Sequence, residues 1–151
     1  MFKKEMKLRG ALPDDLEKIV DILERSGLPI VDCEEHLSNF FVMEDVNRIL
    51  GVGGFQSFGN IALVRSMAVE KRCRGRGIGG MLYKGIEKKA LSLGMKELYL
   101  LTDSAVEFFK NIGFTQIVRT KAPTQIMASR QFQELCAKTT AVMHKHLPGK
   151  Q

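Results

Sequence analysis

The chain has 151 residues, 44% apolar and 26% charged, and no apolar run in it approaches the roughly 18 residues that would span a bilayer. That composition reads as one globular domain, 1–151, able to bury a core without a disulfide or metal staple, and it excludes fibrous and membrane-spanning classes. A formal charge of +6 leaves nucleic acid, an anionic membrane surface or an anionic small molecule as partner classes.

The opening run Met1 to Lys7 has no apolar stretch behind its charges, unlike a secretory signal, so the expected compartment is the cytoplasm. Cys33, Cys73 and Cys136 are far apart and form no Cys-x-x-Cys pair, which predicts neither disulfides nor a metal. Cys136 reads as a buried small hydrophobe and Cys73 as an incidental loop residue. His144 and His146 read as a solvated tail.

In chain order, Lys7-Leu8-Arg9 reads as a short strand, and Pro13 suits the start of a helix, where its missing N–H is not needed. Leu12, Leu16, Ile19, Val20 and Leu23 recur at helical spacing before Gly27, and a second short helix is expected around Cys33 to Ser38. Phe40 to Met43 and Ile49 to Phe55 read as a hairpin turning at Asp45 to Asn47. Past Phe58-Gly59-Asn60, the nearly continuous apolar run Ile61 to Val69 predicts a strand covered on both faces.

A helix from Gly77 to Leu93 ends at Gly94, and Leu98 to Leu101 is the next strand, giving a strand–helix–strand unit with parallel strands. Ala105 to Ile112 form a helix closed by Gly113, with Thr102, Asp103 or Ser104 as its cap. Phe114 to Val118 is a strand, a short helix starts at Pro123, and Thr140 to His144 closes the sheet. The whole is an α/β (α+β) domain with a mixed sheet of six or seven strands flanked by helices.

One segment carries a chemical mechanism. Between a strand and a helix stands Arg74-Gly75-Arg76-Gly77-Ile78-Gly79-Gly80. Amides at a helix start have no internal partner and sit at the positive end of the dipole, while glycines let an anion approach the backbone. The loop lacks the Gly-Lys-Ser/Thr ending of a triphosphate loop and the acidic ribose partner of a dinucleotide fold. Lys71, Arg72, Arg74 and Arg76 concentrate charge there without interleaved aromatics, which disfavours nucleic acid. A plain packing role for the glycines is the competing reading.

With Arg74, Gly77 and Gly79 in the pattern Arg-x-x-Gly-x-Gly after the strand Leu63 to Val69, and Leu98 to Leu101 followed by Ala105 to Phe114, the chain resembles the GNAT superfamily of N-acetyltransferases over about residues 7 to 145. The resemblance implies a mostly antiparallel GNAT sheet and acetyl-CoA as co-substrate. It places pantetheine along Met67, Ala68 and Val69, and the pyrophosphate on the amides of Arg74, Gly75, Arg76, Gly77, Ile78, Gly79 and Gly80. It also implies that the Met67 amide faces the thioester oxygen. The phrases Leu63 to Val69, Leu100-Leu101-Thr102, Glu107-Phe108-Phe109 and Gln133-Glu134-Leu135-Cys136 are similar to the N-acetyltransferases associated with arsenic resistance, which suggests detoxification of a small amine.

Two positions depart from the family. A tyrosine that many members use to protonate the CoA thiolate is Phe109 here, and a frequent Asn is Thr102, whose hydroxyl could make the same contact. Tyr99 is the candidate replacement acid and Tyr83 reads as packing. Gln56 stands where the arsenic-associated relatives often carry Glu, and an amide is no base; Glu44 is the remaining carboxylate candidate.

Arg65, charged within an apolar strand, reads either as an internal ion pair or as a clamp for an anionic acceptor. Ser66 and His36 are further acceptor candidates, and Cys136 a remote one. Expected partners are acetyl-CoA and a small amine, with a homodimer left open and neither nucleic acid nor membrane. The alternatives are a CoA-binding protein with little catalysis, a protein N-acetyltransferase and a basic nucleic-acid module.

Overall fold

The computed structural model describes residues 6–46, 48–134 and 140–148; Asn47 and Cys136, and with them the expectations placed on those two residues, lie outside them. Seven strands, β1 (Lys7–Gly10), β2 (Phe40–Asp45), β3 (Arg48–Phe58), β4 (Ile61–Val69), β5 (Glu97–Thr102), β6 (Thr115–Ile117) and β7 (Ala141–His146), form one sheet in the order β1-β2-β3-β4-β5-β7-β6. The helices are α1 (Leu16–Arg25), α2 (Ile78–Ser92), α3 (Val106–Asn111), α4 (Thr124–Met127) and α5 (Arg130–Glu134). The expected α/β architecture with a mostly antiparallel sheet is therefore present. Among the described residues no helix is long and apolar enough to cross a membrane. The chain divides into two compact units, Met1–Phe55 with Ser66–Lys89, and Gln56–Arg65 with Ala90–Gln151.

In the first unit β1 pairs antiparallel with β2, and β2 with β3, in registers such as Leu8↔Met43 and Val42↔Val52. Helix α1 follows a 3-10 turn at Pro13–Asp15 and ends before Gly27, whose φ of 72° is a left-handed stop. Its buried stripe Ile19, Ile22 and Leu23 packs with Leu37, Phe40, Val42, Val52 and Ala68. A second cluster joins Met43, Leu50, Cys73, Ile78 and Leu82, fixing the start of α2. Each such side chain contributes about 1.5–3 kcal/mol on full burial. Cys73 is thus a core residue, 7% exposed, and not the incidental loop position expected; the turn Lys71–Cys73 directs it inward.

Glycines set the packing distance in this unit. A Cβ on Gly53 would lie 2.3 Å from the Met67 sulfur, and one on Gly51 would lie 3.1 Å from the Ala68 carbonyl oxygen and from Ile78 and Leu82. A Cβ at Gly53 would displace the Met67 thioether, and one at Gly51 would press on the Ala68 carbonyl and on Ile78 and Leu82 of α2. Near β1 the Arg9 guanidinium bridges Asp15, at 2.8 and 3.0 Å, and Glu44, at 3.0 Å twice. Asp15 also accepts the Leu12 N–H at 2.7 Å, which joins the entry of α1 to the sheet.

In the second unit β4 and β5 pair in parallel from Ile61↔Glu97 to Leu63↔Tyr99. β7 runs antiparallel to both β5 and β6 and so lies between them. Leu63, Ala122, Ile126, Phe132 and Val142 form its core, with Tyr99, Leu101 and Ile117 packed against them. The short helix expected after Pro123 is α4. Helix α5 was not anticipated; Ser129 starts it, its Oγ accepting the Phe132 N–H at 3.1 Å and donating to the Ile126 carbonyl at 2.7 Å.

His144 and His146 are not a solvated tail. They alternate along β7, His144 half-buried, and both bond the Glu97 carboxylate on β5, His146 Nδ1 at 2.7 Å. Burial pushes the Glu97 carboxyl up, but the two imidazole bonds outweigh it and hold it below the usual carboxylate range. A depressed carboxyl contributes stability that is present above its unfolded value, about 4.3, and lost as pH falls through its folded value. Glu97→Gln should therefore unfold more easily than wild type at pH 6, by under about 1 kcal/mol because water partly screens the pair, with the gap closing towards pH 3. Thermal melts across that range check this, and parallel profiles would refute it.

Candidate functional site

The distinctive backbone of the first unit starts at the end of β4. Ser66 is buried, 4% exposed, with φ of 59° inside a strand, a left-handed conformation that costs a non-glycine residue about 1–2 kcal/mol. The chain beyond it presents Met67, Ala68 and Val69. The Met67 side chain lies over Gly53 and close to the Ile86 side chain of α2. Its backbone is what Met67 has left to offer a ligand. Val69 O accepts Arg74 Nε at 3.2 Å, folding the loop back on the strand that feeds it.

The loop then opens. Arg74, Gly75, Arg76 and Gly77 are exposed, Gly75 and Gly77 have φ of 84° and 79°, and a Cβ on either would meet nothing within 4 Å. These glycines answer a demand for left-handed backbone and not for space. Helix α2 begins at Ile78, which is 1% exposed and pins the first turn into the core. The first four N–H groups of an α-helix have no carbonyl inside it to bond, and no acidic side chain stands in this first turn to neutralise them. A Cβ on Gly80 would also meet nothing within 4 Å. Open, positively polarised amides beside Arg74 and Arg76 fit an anionic group such as a diphosphate, with room for it to approach the main chain. Met67 to Gly80 form one continuous stretch from the end of β4 into the first turn of α2.

The other candidates in this unit stand apart from the loop in the sequence. Glu44 on β2 has both carboxylate oxygens bonded to Arg9, whose hydrogen bonds hold its carboxyl below the usual range and so weaken it as a base at neutral pH. His36 lies in the 3-10 turn Glu34–Asn39, half-buried, with Nε2 3.8 Å from Asp32. No sequence motif flagged Arg25 and Glu70. Arg25 donates to Glu70, the residue before the loop, at 2.7 and 2.8 Å. The Asp21 and Arg25 spacing is legible as an i,i+4 pair, but a bond across 45 residues leaves no local signal.

In the second unit Arg65 is 2% exposed on β4, and it is partnered. Gln56 on β3 is half-buried with its Oε1 buried and unbonded. Tyr99 stacks on His144 with ring centroids 4.9 Å apart, and burial, then the charge of Glu97, pushes its phenol pKa up. Thr102 Oγ1 accepts the Ala105 N–H at 3.0 Å in the turn before α3, but the N-cap is Ala105 with no side-chain cap bond, so none of the three expected residues caps the helix; the Thr102 O–H remains a donor. Phe109 is 5% exposed, edge-on to Phe108 at 5.0 Å and to Phe114 at 5.6 Å. Tyr83 in α2 donates to Glu87 at 2.5 Å, in keeping with packing. Among the described residues no group of three or more His, Cys, Asp and Glu side chains is placed to hold a metal ion.

Three comparisons bear on the origin of this arrangement. An uncharacterised N-acetyltransferase of Chlorobaculum tepidum is 30% identical over 106 residues, 70% of this chain and 66% of that protein. An amino-acid acetyltransferase of Serratia proteamaculans is 24% identical over 136 residues, 84% of this chain and 31% of the relative. The N-acetylglutamate synthase of Neisseria gonorrhoeae, solved with coenzyme A and N-acetyl-glutamate, superposes with a TM-score of 0.82 at 20% identity, over 97% of this chain and 36% of that one. The chain thus spans about a third of the length of the last two proteins and just under two thirds of the first. The family model described as the acetyltransferase (GNAT) domain matches residues 36–116, from the 3-10 turn carrying His36 through β2, β3, β4, the glycine loop, α2 and β5 into β6, and the chain belongs to that family.

Proposed function

We propose that this protein transfers the acetyl group of acetyl-CoA to the amino group of a small, anionic acceptor, an amino acid or an amino-acid-like toxin. The observation that carries the reading is the start of α2, open at Gly75, Gly77 and Gly80 and free of acidic side chains in its first turn. The amides of Arg74 to Gly80 hold the pyrophosphate in this reading, and the main chain of Met67, Ala68 and Val69 receives the pantetheine arm as an added strand. In the transfer the amine nitrogen attacks the thioester carbonyl carbon, a C–N bond forms and the C–S bond breaks. The electron pair leaves on sulfur, and the proton lost by nitrogen is matched by one gained at sulfur.

The Met67 amide donates to the carbonyl oxygen as charge develops there. Holding amine and thioester together supplies roughly 7–11 kcal/mol of the barrier reduction, so no strong base is demanded if the amine arrives neutral. Tyr99 is the proposed proton donor to sulfur; its phenol is protonated at neutral pH, although burial makes it a weaker acid than a free phenol. Thr102 and Phe109 line the cofactor side. Arg65 takes the acceptor's acid group, with Ser66, His36 and Gln56 as further contacts.

The names of the relatives, amino-acid acetyltransferase and N-acetylglutamate synthase, support an amino-acid-like acceptor. Arsenical detoxification is one specific case within that class. The reading places the enzyme in the cytoplasm as a single domain, with a homodimer compatible and no nucleic-acid partner. A CoA-binding protein with little turnover is the second reading, favoured by Phe109 being buried among rings where a hydroxyl would serve catalysis. Thiol release from acetyl-CoA across amino acids, amino-phosphonates and amino-arsonates decides between them.

Two variants test the assignment of parts. Gly80→Glu adds a good helix former and an acid at the positive end of α2, which favours the helix by about 0.5–1 kcal/mol. Its melting point should hold or rise while CoA affinity falls at least about tenfold, because the new carboxylate competes for the amides. Unchanged affinity by calorimetry would sink the cradle. Arg65→Gln should raise the acceptor KM about tenfold or more with CoA affinity intact, the loss of a charge-assisted pair; a collapse of CoA affinity instead would remove Arg65 from the acceptor role.

A further inference from the structure

The glycine loop has a fixed root. Glu70 follows β4 directly; its N–H donates to Leu50 O at 2.8 Å and its carbonyl accepts the Cys73 N–H at 2.8 Å. Its side chain takes a two-pronged bond from Arg25 at 2.7 and 2.8 Å, and Arg25 Nε donates to Asp21 Oδ2 at 3.0 Å. Glu70 is therefore held at three points, one of them on α1. The Arg25 bonds keep the Glu70 carboxyl below the usual range, so the pair stays charged at neutral pH. Arg25 stands in the last turn of α1, where a cation complements the helix dipole.

The pair lies on the wall of a cavity of about 440 Å³, whose lining includes Arg48, Arg72, Ile49 and Cys73. Cys73 ties the far end of the turn into the core, so the Arg25 clamp adds a side-chain restraint at Glu70 beside the backbone bonds to Leu50 and Cys73. Arg25 keeps half of its side-chain surface in water, and such a pair contributes little to global stability. Its two-pronged geometry nonetheless fixes direction, and the loop it anchors has left-handed hinges at Gly75 and Gly77 a few residues on.

We infer that Arg25 and Glu70 are positioning residues for the cofactor: the clamp sets the angle at which the loop leaves β4, and so aims the first-turn amides of α2. The inference rests on the proposed cradle. Neither residue touches the cofactor in this scheme; they act through the backbone from Glu70 to Gly77. Loss of either end leaves the backbone bonds of Glu70 in place but frees its side chain, so the exposed stretch beyond Cys73 leaves at a less defined angle and cofactor binding has to restrain it.

The test is calorimetry of CoA on wild type, Arg25→Gln, Glu70→Gln, the double variant and the charge exchange Arg25→Glu with Glu70→Arg, beside thermal melts of each unliganded protein. Each single variant should weaken CoA by about five- to tenfold, the double should be no worse than a single, and the exchange should recover part of the loss. Melting points should stay within about 2 °C, as expected for an exposed pair. Acetyl-CoA KM should rise with kcat nearly unchanged. If wild type fails to bind CoA, the cradle itself is wrong. If wild type binds and the single variants bind within twofold, lose affinity additively, or lose it in step with melting temperature, the positioning role is overturned while the cradle stands.

Discussion

Everything attributed to this chain depends on the amides that the start of α2 leaves unbonded. An α-helix cannot satisfy its first N–H groups internally, and a protein usually closes that end with a capping oxygen or an acidic first turn. Here left-handed glycines precede the helix, the first turn holds no acid, and Ile78 is sealed into the core just below. The end is rigid on its buried side and open on its solvent side. That combination suits a ligand supplying the missing acceptors, since the amides need no rearrangement to receive it.

Rigidity comes from places that look unrelated to binding. Gly51 and Gly53 of β3 let Ile78, Leu82 and Met67 pack tightly against the strand, since a Cβ at either position would make these neighbours shift, so the glycines in β3 help to set where the glycine loop sits. Cys73 extends the same logic, since its burial ties the turn Lys71–Cys73 to the core, while Lys71, Arg72 and the stretch Arg74 to Gly77 run exposed. The left-handed Ser66 is a further fixed bend, three residues before the end of the strand that feeds the loop.

The sequence made local features legible and hid distant ones. The helices α1 and α2 were readable because apolar residues recur at their period and Gly27 and Gly94 punctuate them, both with positive φ. The glycine loop between β4 and α2 was readable because its spacing is local, and the anion-binding role proposed for it rests on that spacing. His144 and His146 were misread because their partner, Glu97, lies on another strand, and a pairing across the sheet has no local signature. Cys73 was misread because a loop residue's burial depends on a turn direction that composition does not encode. Helix α5 escaped because a single Ser129 cap before a five-residue helix is too short for periodicity to register.

The same division explains why the cofactor half of the proposed reaction is better defined than the acceptor half. A diphosphate is recognised by main-chain amides, which any sequence supplies once the turn is set, so glycine spacing alone reveals the site. An acceptor is recognised by side chains rather than by main chain, and the residues proposed for it, such as Arg65, Gln56 and His36, carry no local pattern that marks them as a site. The arrangement also narrows the proton path. Glu44 is bound at both oxygens by Arg9, and Phe109 lies among rings without a hydroxyl. What the proposed transfer then requires is an amine that arrives neutral and a proton donor such as Tyr99, which burial makes a weaker acid than a free phenol. Chemistry of that kind is driven by placement, and placement is what the buried root of the glycine loop provides.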